Sequence, residues 1–551
     1  MDPTLTIGIA GVTSYFIFKR TETIALKNLF ILLLVVPGLL LAFVQPTDTS
    51  FIQGVLSVLG YYITIIGCTL LYRLSPWHPL AAYPGPLVCK ITKLKGAAVG
   101  RSGKQHLYYQ SLHSQYGDVV RIGPNELSFL PVEAIDPILG KNGIPKGPFW
   151  DGRIPETQKI HSLLALRDLD EHKHRRVPWS KAFTTNALKE YEVLVRAKTD
   201  LFAERLSLVG KDGRSDLDIG EWFRYYTYDL MTDFVFSGGS NMLQQGDPEG
   251  LWEAIRSGFV GAMIGSHVPW LGRISYKLPT RFFNSGLVAF RNNSFQRAMK
   301  RTAEGSKRRD LYYYLLDEGN PDAKPNGPQA IADATVAVIG GSDTTSMTLT
   351  MILYYLISRP NVYQRLKQEI DATGDHWDDS TSQAKMAYLN GVINETLRLW
   401  PPALNGSQRG IRADASGKMI LGGYVPSGTN VNIPFYSVHR DSRNFSPFPE
   451  EFIPERWLDE GERLKLEPSI FKNAEYNHDT QAFLAFSAGP ANCVGRKLAM
   501  MEMRIVVCML MKKFEVEFAK GMMQGRFEDT VLDYYTMQVG KLWVRLKEKS
   551  V

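Results

Sequence analysis

Near the C-terminal end, the run Phe486-Ser-Ala-Gly489-Pro-Ala-Asn-Cys493-Val-Gly495 sets one cysteine in a glycine-punctuated loop, and a helical pattern, Lys497 to Phe514, begins just behind it. Such a loop is suited to offering a sulfur to a metal. Gly489 and Gly495 lack a Cβ and so permit tight turns and close approach to a flat ligand. Amide N–H groups at a helix start can hydrogen-bond a thiolate, the ligating form, and lower its basicity. A lone cysteine in a helix-rich chain is more often a buried structural residue, so the surrounding residues decide.

Two further groupings carry chemistry. Ala332 to Tyr355 reads as a long helix whose middle is Gly340-Gly341-Ser-Asp343-Thr344-Thr345. Each glycine in a helix interior costs about 1 kcal/mol relative to alanine, which suggests a packing or ligand reason. A threonine hydroxyl that bonds back to a carbonyl one turn earlier can open the helical ladder and leave room for a small ligand. Glu395-Thr-Leu-Arg398 puts an acid and a base on one helix face, followed by Trp400-Pro401-Pro402 and later by Pro454-Glu455-Arg456-Trp457. Taken alone, the Glu395 and Arg398 spacing is that of an ordinary surface ion pair worth a few tenths of a kcal/mol.

Together these segments resemble the cytochrome P-450 family, whose heme-ligand signature is Phe-x-x-Gly-x-x-x-Cys-x-Gly. The resemblance covers roughly residues 75 to 551, with the motifs in the family's order. It implies heme b held by Cys493 as axial iron ligand, with Phe486, Gly489 and Gly495 shaping the loop. Asp343 and Thr344 would relay protons to iron-bound dioxygen, and Glu395, Arg398 and Arg456 would form one buried structural network that clamps the cysteine loop. His172 and Arg176 have the His-x-x-x-Arg spacing of the family's propionate-binding helix, and Arg409 follows the Pro-Pro segment where another such arginine often sits. Lys173 and Arg175 read as a solvated basic face. One departure stands out: two residues before the cysteine, where the family usually has arginine or histidine on a propionate, this chain has Ala491. His172, Arg176 and Arg409 should then bear more of the load. His439-Arg440-Asp441 mimics a kinase catalytic loop, but Ser446 stands where such a loop needs asparagine.

These residues must be positioned by a mainly α architecture with small β-sheets, in this resemblance the P-450 fold preceded by a transmembrane anchor. Gly117 to Gly123 and Leu127-Ser-Phe read as short strands, and most of the chain from about Glu190 reads as amphipathic helices. With 551 residues, 44% hydrophobic and 22% charged, the chain can bury a large core and is long for one domain. Three apolar stretches open it, Leu5 to Phe18, Leu29 to Val44 and Phe51 to Tyr72. The third is long enough to span a bilayer; the first two are short. Residues 1–74 are thus expected to be an anchor with one to three spans, 75–90 a proline-rich hinge and 91–551 the catalytic domain. Lys19, Arg20 and Lys27 crowd the first loop, whereas Gln45 to Ser50 holds Asp48 and no base. The positive-inside rule then puts everything after Arg73 in the cytosol, on an endoplasmic reticulum membrane. The sequons at Asn292, Asn394, Asn405 and Asn444 are therefore expected to stay unglycosylated.

The four cysteines are scattered, against a disulfide scaffold. A net charge of +7 is too diffuse to argue for nucleic acid but suits an anionic membrane or an acidic partner. The resemblance implies monooxygenation of a small molecule with O2 and NADPH. No nicotinamide or flavin fingerprint accompanies the motifs, so electrons are expected from a separate NADPH–cytochrome P-450 reductase, with cytochrome b5 as a further candidate. Arg496 and Lys497 would face such a flavoprotein. The apolar segment Phe259 to Leu271 suits a substrate entrance at the bilayer and favours a lipophilic terpenoid or sterol over an aromatic compound or xenobiotic. The hinge and cysteine loop look most like those of fungal secondary-metabolism enzymes. The rival readings are an O2-independent isomerase of the same fold, which commonly lacks the acid-alcohol pair, and a non-enzymatic heme carrier or sensor.

Overall fold

The computed structural model describes residues 3–20, 26–43, 50–155, 157–279, 285–522 and 525–549. Three N-terminal helices precede the catalytic body: α1 (Pro3–Arg20), α2 (Leu26–Phe43) and α3 (Phe51–Leu74). Only α2 and α3 among them are long and apolar enough to cross a membrane. The first apolar run lies along α3. There Gly11 sits where an added Cβ would stand 2.8 Å from Thr64 Cβ, and Tyr61 hydroxyl lies 2.7 Å from Ser14 Oγ. The stretch around Asp48 that set the expected orientation, residues 44–49, lies outside the described residues. The proline-rich segment is docked on the body through Arg121, whose guanidinium donates to the carbonyl of Leu80 at 3.4 Å and lies 3.3 Å from His78 Nε2.

Six helices of the body matter to the site: α4 (Leu169–Ala182), α5 (Ile219–Phe236), α6 (Leu251–His267), α7 (Gly327–Ser358), α8 (Ala387–Leu399) and α9 (Arg496–Lys513). Helix α7 starts at Asn326, whose side chain accepts the Gln329 N–H at 3.1 Å, and stops at Arg359, ahead of Pro360. It is longer than the sequence pattern marked and spans about 48 Å. By composition it could cross a membrane, yet 72% of its apolar window is buried inside the protein. Each fully buried Leu, Ile, Met or Phe contributes about 1.5–3 kcal/mol, so α7 is the central beam of the body. Its most extensive packing is against α5. Helix α9 begins one residue earlier than expected, and Phe514 opens a strand instead of closing the helix.

The sheets are small, as expected. Strands β1 (Val119–Gly123), β2 (Glu126–Phe129), β3 (Leu217–Asp218), β4 (Arg409–Gly410), β5 (Asn430–Asn432), β6 (Phe514–Phe518), β7 (Leu532–Tyr534), β8 (Thr536–Gln538) and β9 (Trp543–Glu548) supply most of the pairing. One sheet has the order β1-β2-β5-β4 and a second the order β6-β9-β3, while β7 and β8 form a hairpin. The first sheet carries Arg409 to the cavity, with Lys146 bridged to it antiparallel. The hairpin brings Tyr535 and Thr536 to the same place, with β8 packed on α7.

Candidate active site

A cavity of about 860 Å³ lies between α7 and the loop ahead of α9, and Cys493 and Thr344 both line it. The loop is fixed by a hydrogen bond from Cys493 N–H to Phe486 carbonyl at 2.9 Å. Gly489 adopts φ +67°, and a Cβ there would meet the Leu139 carbonyl oxygen at 1.9 Å, so glycine is needed for both conformation and space. Gly495 differs from expectation. Its φ is −81°, which any residue adopts, and an added Cβ would make ordinary 3.9 Å contact with Cys493 Sγ. Burial pushes the Cys493 thiol up, while the N–H groups of Gly495 and Arg496 and the Arg176 guanidinium pull it down.

Across the cavity, Thr344 Oγ1 donates to Gly340 carbonyl at 2.7 Å. The expected back-bond forms, but α7 runs on without a break, so the ladder is not opened. The two glycines separate in purpose. A Cβ on Gly340 would meet nothing within 4 Å, whereas one on Gly341 would strike Met231 of α5 at 2.5 Å. Asp343 is buried beside the cavity wall, and neither carboxylate oxygen has a hydrogen-bond partner. Burial pushes its pKa up to about 6 against the pull of the Thr536 hydroxyl and the Arg224 and Arg256 charges. Thr536 lines the cavity and adjoins Asp343, a neighbour invisible to motif reading because it lies nearly two hundred residues away in sequence.

Glu395, Arg398 and Arg456 come together, all with fully buried side chains. Glu395 accepts from Arg398 Nε and Nη2 at 2.8 Å each, from Ile453 N–H at 3.0 Å, from Trp457 Nε1 at 2.9 Å and from Arg456 Nε at 3.5 Å. Burial raises the carboxyl, but the two guanidinia and the Ile453 N–H outweigh it and hold Glu395 at about 2. Arg398 also donates to the carbonyls of His439 and Pro449 at 2.8 and 2.6 Å, and His439 Nε2 accepts the Leu484 N–H at 2.7 Å. The kinase-like tripeptide is thus part of this scaffold.

His172, Arg176 and Arg409 all line the cavity, as does Ala491. Arg176 donates to the backbone and side-chain oxygens of Asn492 at 2.6 and 2.8 Å. Arg409 is buried with Nε unpartnered. Burial, reinforced by Lys146, Arg176 and Arg409, pushes His172 down to about 4, so the imidazole is a neutral hydrogen-bonding group. Arg175 is no part of a solvated face. It is buried and pairs with Asp333 of α7 at 2.7 Å. Sequence reading missed Lys146, whose buried ammonium lines the cavity, donates to Leu163 carbonyl at 3.0 Å and is pushed down to about 7 by burial and the nearby arginines. No local motif surrounds it; only the bridge to Arg409 reveals it.

Lys146, Arg176 and Arg409 therefore face one cavity, and among the described residues no carboxylate forms an ion pair with any of them. An apolar slot with a thiol on one wall, an open glycine on another and unpaired cations at its margin fits heme, a flat group carrying two carboxylates. Comparison with known sequences agrees. The family description Cytochrome P-450 matches residues 80–538. The chain belongs to the cytochrome P-450 family. Among its relatives are Cytochrome P-450 67 of Uromyces fabae, 32% identical over 97% of both chains, and Cytochrome P-450 monooxygenase phqL of Penicillium fellutanum, 31% identical over 98% of this chain and 94% of that one. Cytochrome P-450 monooxygenase nodW of Hypoxylon pulicicidum is 33% identical over 84% of this chain and 81% of its own. Membership in this P-450 makes the protein a monooxygenase-family oxidoreductase with a heme-thiolate cofactor, and its apolar N-terminal helices are of the kind that anchor eukaryotic members to membranes.

Proposed function

We propose that this P-450 inserts one oxygen atom of O2 into a lipophilic small molecule of fungal secondary metabolism, with electrons from NADPH delivered by a separate reductase. The observation that carries the reading is one cavity lined by Cys493, the Asp343-neighbouring Thr344, and the basic side chains Lys146, His172, Arg176 and Arg409. Bound heme would supply the oxygen activation, and Cys493 would hold its iron, with thiolate donation favouring O–O cleavage. Lys146, Arg176 and Arg409, with His172 as a neutral donor, would hold the propionates that Ala491 leaves unclamped. Gly340 keeps space free on α7 beside Thr344. Thr344 orients a water or hydroxyl there, and Asp343, poised near pH 6 and reached through Thr536, returns protons from the far side of α7. Glu395, Arg398 and Arg456 hold the segment from His439 to Trp457 in place and touch no substrate.

Phe259 and Ala262 of α6 line the cavity, while Trp270 and Leu271, in the short helix Pro269–Ser275 beyond, are exposed. That helix packs near the start of α2, which supports entry of an apolar substrate from an endoplasmic reticulum bilayer, with the catalytic domain on the cytosolic side. Residues 1–74 would anchor and the proline-rich segment would set the tilt of the head. Arg496 and Lys497 are exposed behind the cysteine loop and suit docking of an acidic flavoprotein. The test is turnover under ¹⁸O2 with NADPH and a fungal reductase, using lipophilic candidates. One labelled oxygen per product supports the reading; product formed without label, or without NADPH, overturns it.

A further inference from the structure

A further buried cation in the cavity wall, beside Lys146 and Arg409, lies outside the machinery described above. Arg153 closes the short turn Pro148–Arg153 and lines the cavity, yet it is only 8% exposed. Its Nε donates to Ser266 Oγ at 2.6 Å, and one terminal nitrogen approaches Met263 Sδ at 3.5 Å, both on α6. The guanidinium sits 4.9, 5.5 and 5.0 Å from the ring centres of Phe149, Trp150 and Tyr535. These contacts hold the group in one orientation against the hairpin and α6, but none brings a negative charge.

The candidate counter-ion is Asp533, and it is committed elsewhere: its carboxylate accepts from Asn405 Nδ2 and from the Tyr535 N–H. Among the described residues no carboxylate comes within ion-pair distance of Arg153, and Arg291 donates to the Arg153 backbone carbonyl at 3.2 Å. A buried charge is retained when it is paired or when a ligand pairs it. Aromatic faces compensate only part of the desolvation. The guanidinium has five donors, of which these contacts occupy two.

We propose that Arg153 binds the carboxylate of the substrate, so that the molecule this enzyme takes has an apolar body and one acidic group. The proposal rests on the monooxygenase reading and narrows its substrate from lipophilic compounds in general to lipophilic acids. The aromatic cage would receive the carbons next to the acid, and Arg153 would hold the acid end by charge-assisted hydrogen bonds, which are about twice as strong as neutral ones.

The experiment is optical titration of the oxidised, heme-loaded full-length enzyme with two matched pairs, dodecanoate with methyl dodecanoate and dehydroabietate with its methyl ester. Wild type should bind at least one acid about tenfold or more tightly than its ester. Arg153→Gln should bring acid and ester within about threefold while leaving the ester affinity near wild type, and Arg153→Lys should restore part of the preference. Heme content, read as the pyridine adduct, should be equal in all three proteins. A wild type that prefers neither acid, or binds neither pair, overturns the proposal, as does a preference that survives in Arg153→Gln. Heme lost from Arg153→Gln would instead place Arg153 among the propionate partners and also overturn it. Because the titration uses no reductant, acid preference without ¹⁸O incorporation counts against the reaction alone, and ¹⁸O incorporation without acid preference counts against Arg153 alone.

Discussion

Around Glu395 a buried carboxylate is met by two guanidinia, a backbone N–H and an indole N–H. Around the cavity, Lys146, Arg409 and Arg153 are also buried but reach only carbonyls, a hydroxyl and a thioether. In the first set each charge meets an opposite charge within the protein, with Arg456 Nη1 alone left without a hydrogen bond, and the set belongs to folding. The second set has no opposite charge within the protein, and under the function proposed above two propionates and one substrate acid would supply it. A buried charge is thus informative about function in proportion to what the chain leaves unpaired around it.

The comparison breaks most visibly if Glu395→Ala is tolerated. Removing it strands Arg398 and Arg456 and should cost about 3–5 kcal/mol, read as a lower urea midpoint and failure to take up heme. Acid should act the same way: Glu395 sits at about 2 against 4.5 in the unfolded chain, so its contribution is whole above pH 4.5 and disappears as pH falls toward 2. Thr344→Ala comes next. It should keep the fold and the heme spectrum but lower product per NADPH, toward the roughly 10²–10⁴-fold range typical of proton-transfer groups, with peroxide released instead.

Asp343→Asn should move stability the opposite way from Glu395→Ala. Asp343 sits near 6 against 3.8 unfolded, so its ionisation costs stability as pH rises between those values. The variant should be more stable than wild type at pH 7.5, by up to roughly 3 kcal/mol, with the gap closing by pH 4, while its turnover falls and its solvent isotope effect rises. Arg409→Ala and Lys146→Met should lose heme to apomyoglobin roughly 10- to 100-fold faster, as loss of one charge-assisted hydrogen bond predicts, with no loss of stability in the heme-free protein. Ala491→Arg should give the smallest change, equal or slightly slower heme loss.

The cysteine loop and the Asp343–Thr344 pair are legible because each is carried by residues close in sequence with fixed local geometry, whereas Arg456 lies 61 residues from Glu395 and joins that network in the sequence only through the family resemblance. The mainly α body and the small sheets were legible from periodicity. Lys146, Thr536 and Arg153 were not, since nothing local distinguishes them; their roles arise when separate segments meet at one cavity. Arg175 was misread because its exposure depended on Asp333, which motif reading could not place beside it. The packing of the first apolar run on α3 is invisible in the sequence because a Gly11–Thr64 contact leaves no hydropathy signal.

The most direct measurement is the carbon monoxide difference spectrum of the reduced enzyme, wild type beside Cys493→Ser. The account predicts a red-shifted thiolate band in wild type and its absence in the variant, even where heme is retained on Lys146, Arg176 and Arg409. A variant that keeps the band would contradict the assignment of Cys493 and with it the reading of the cavity.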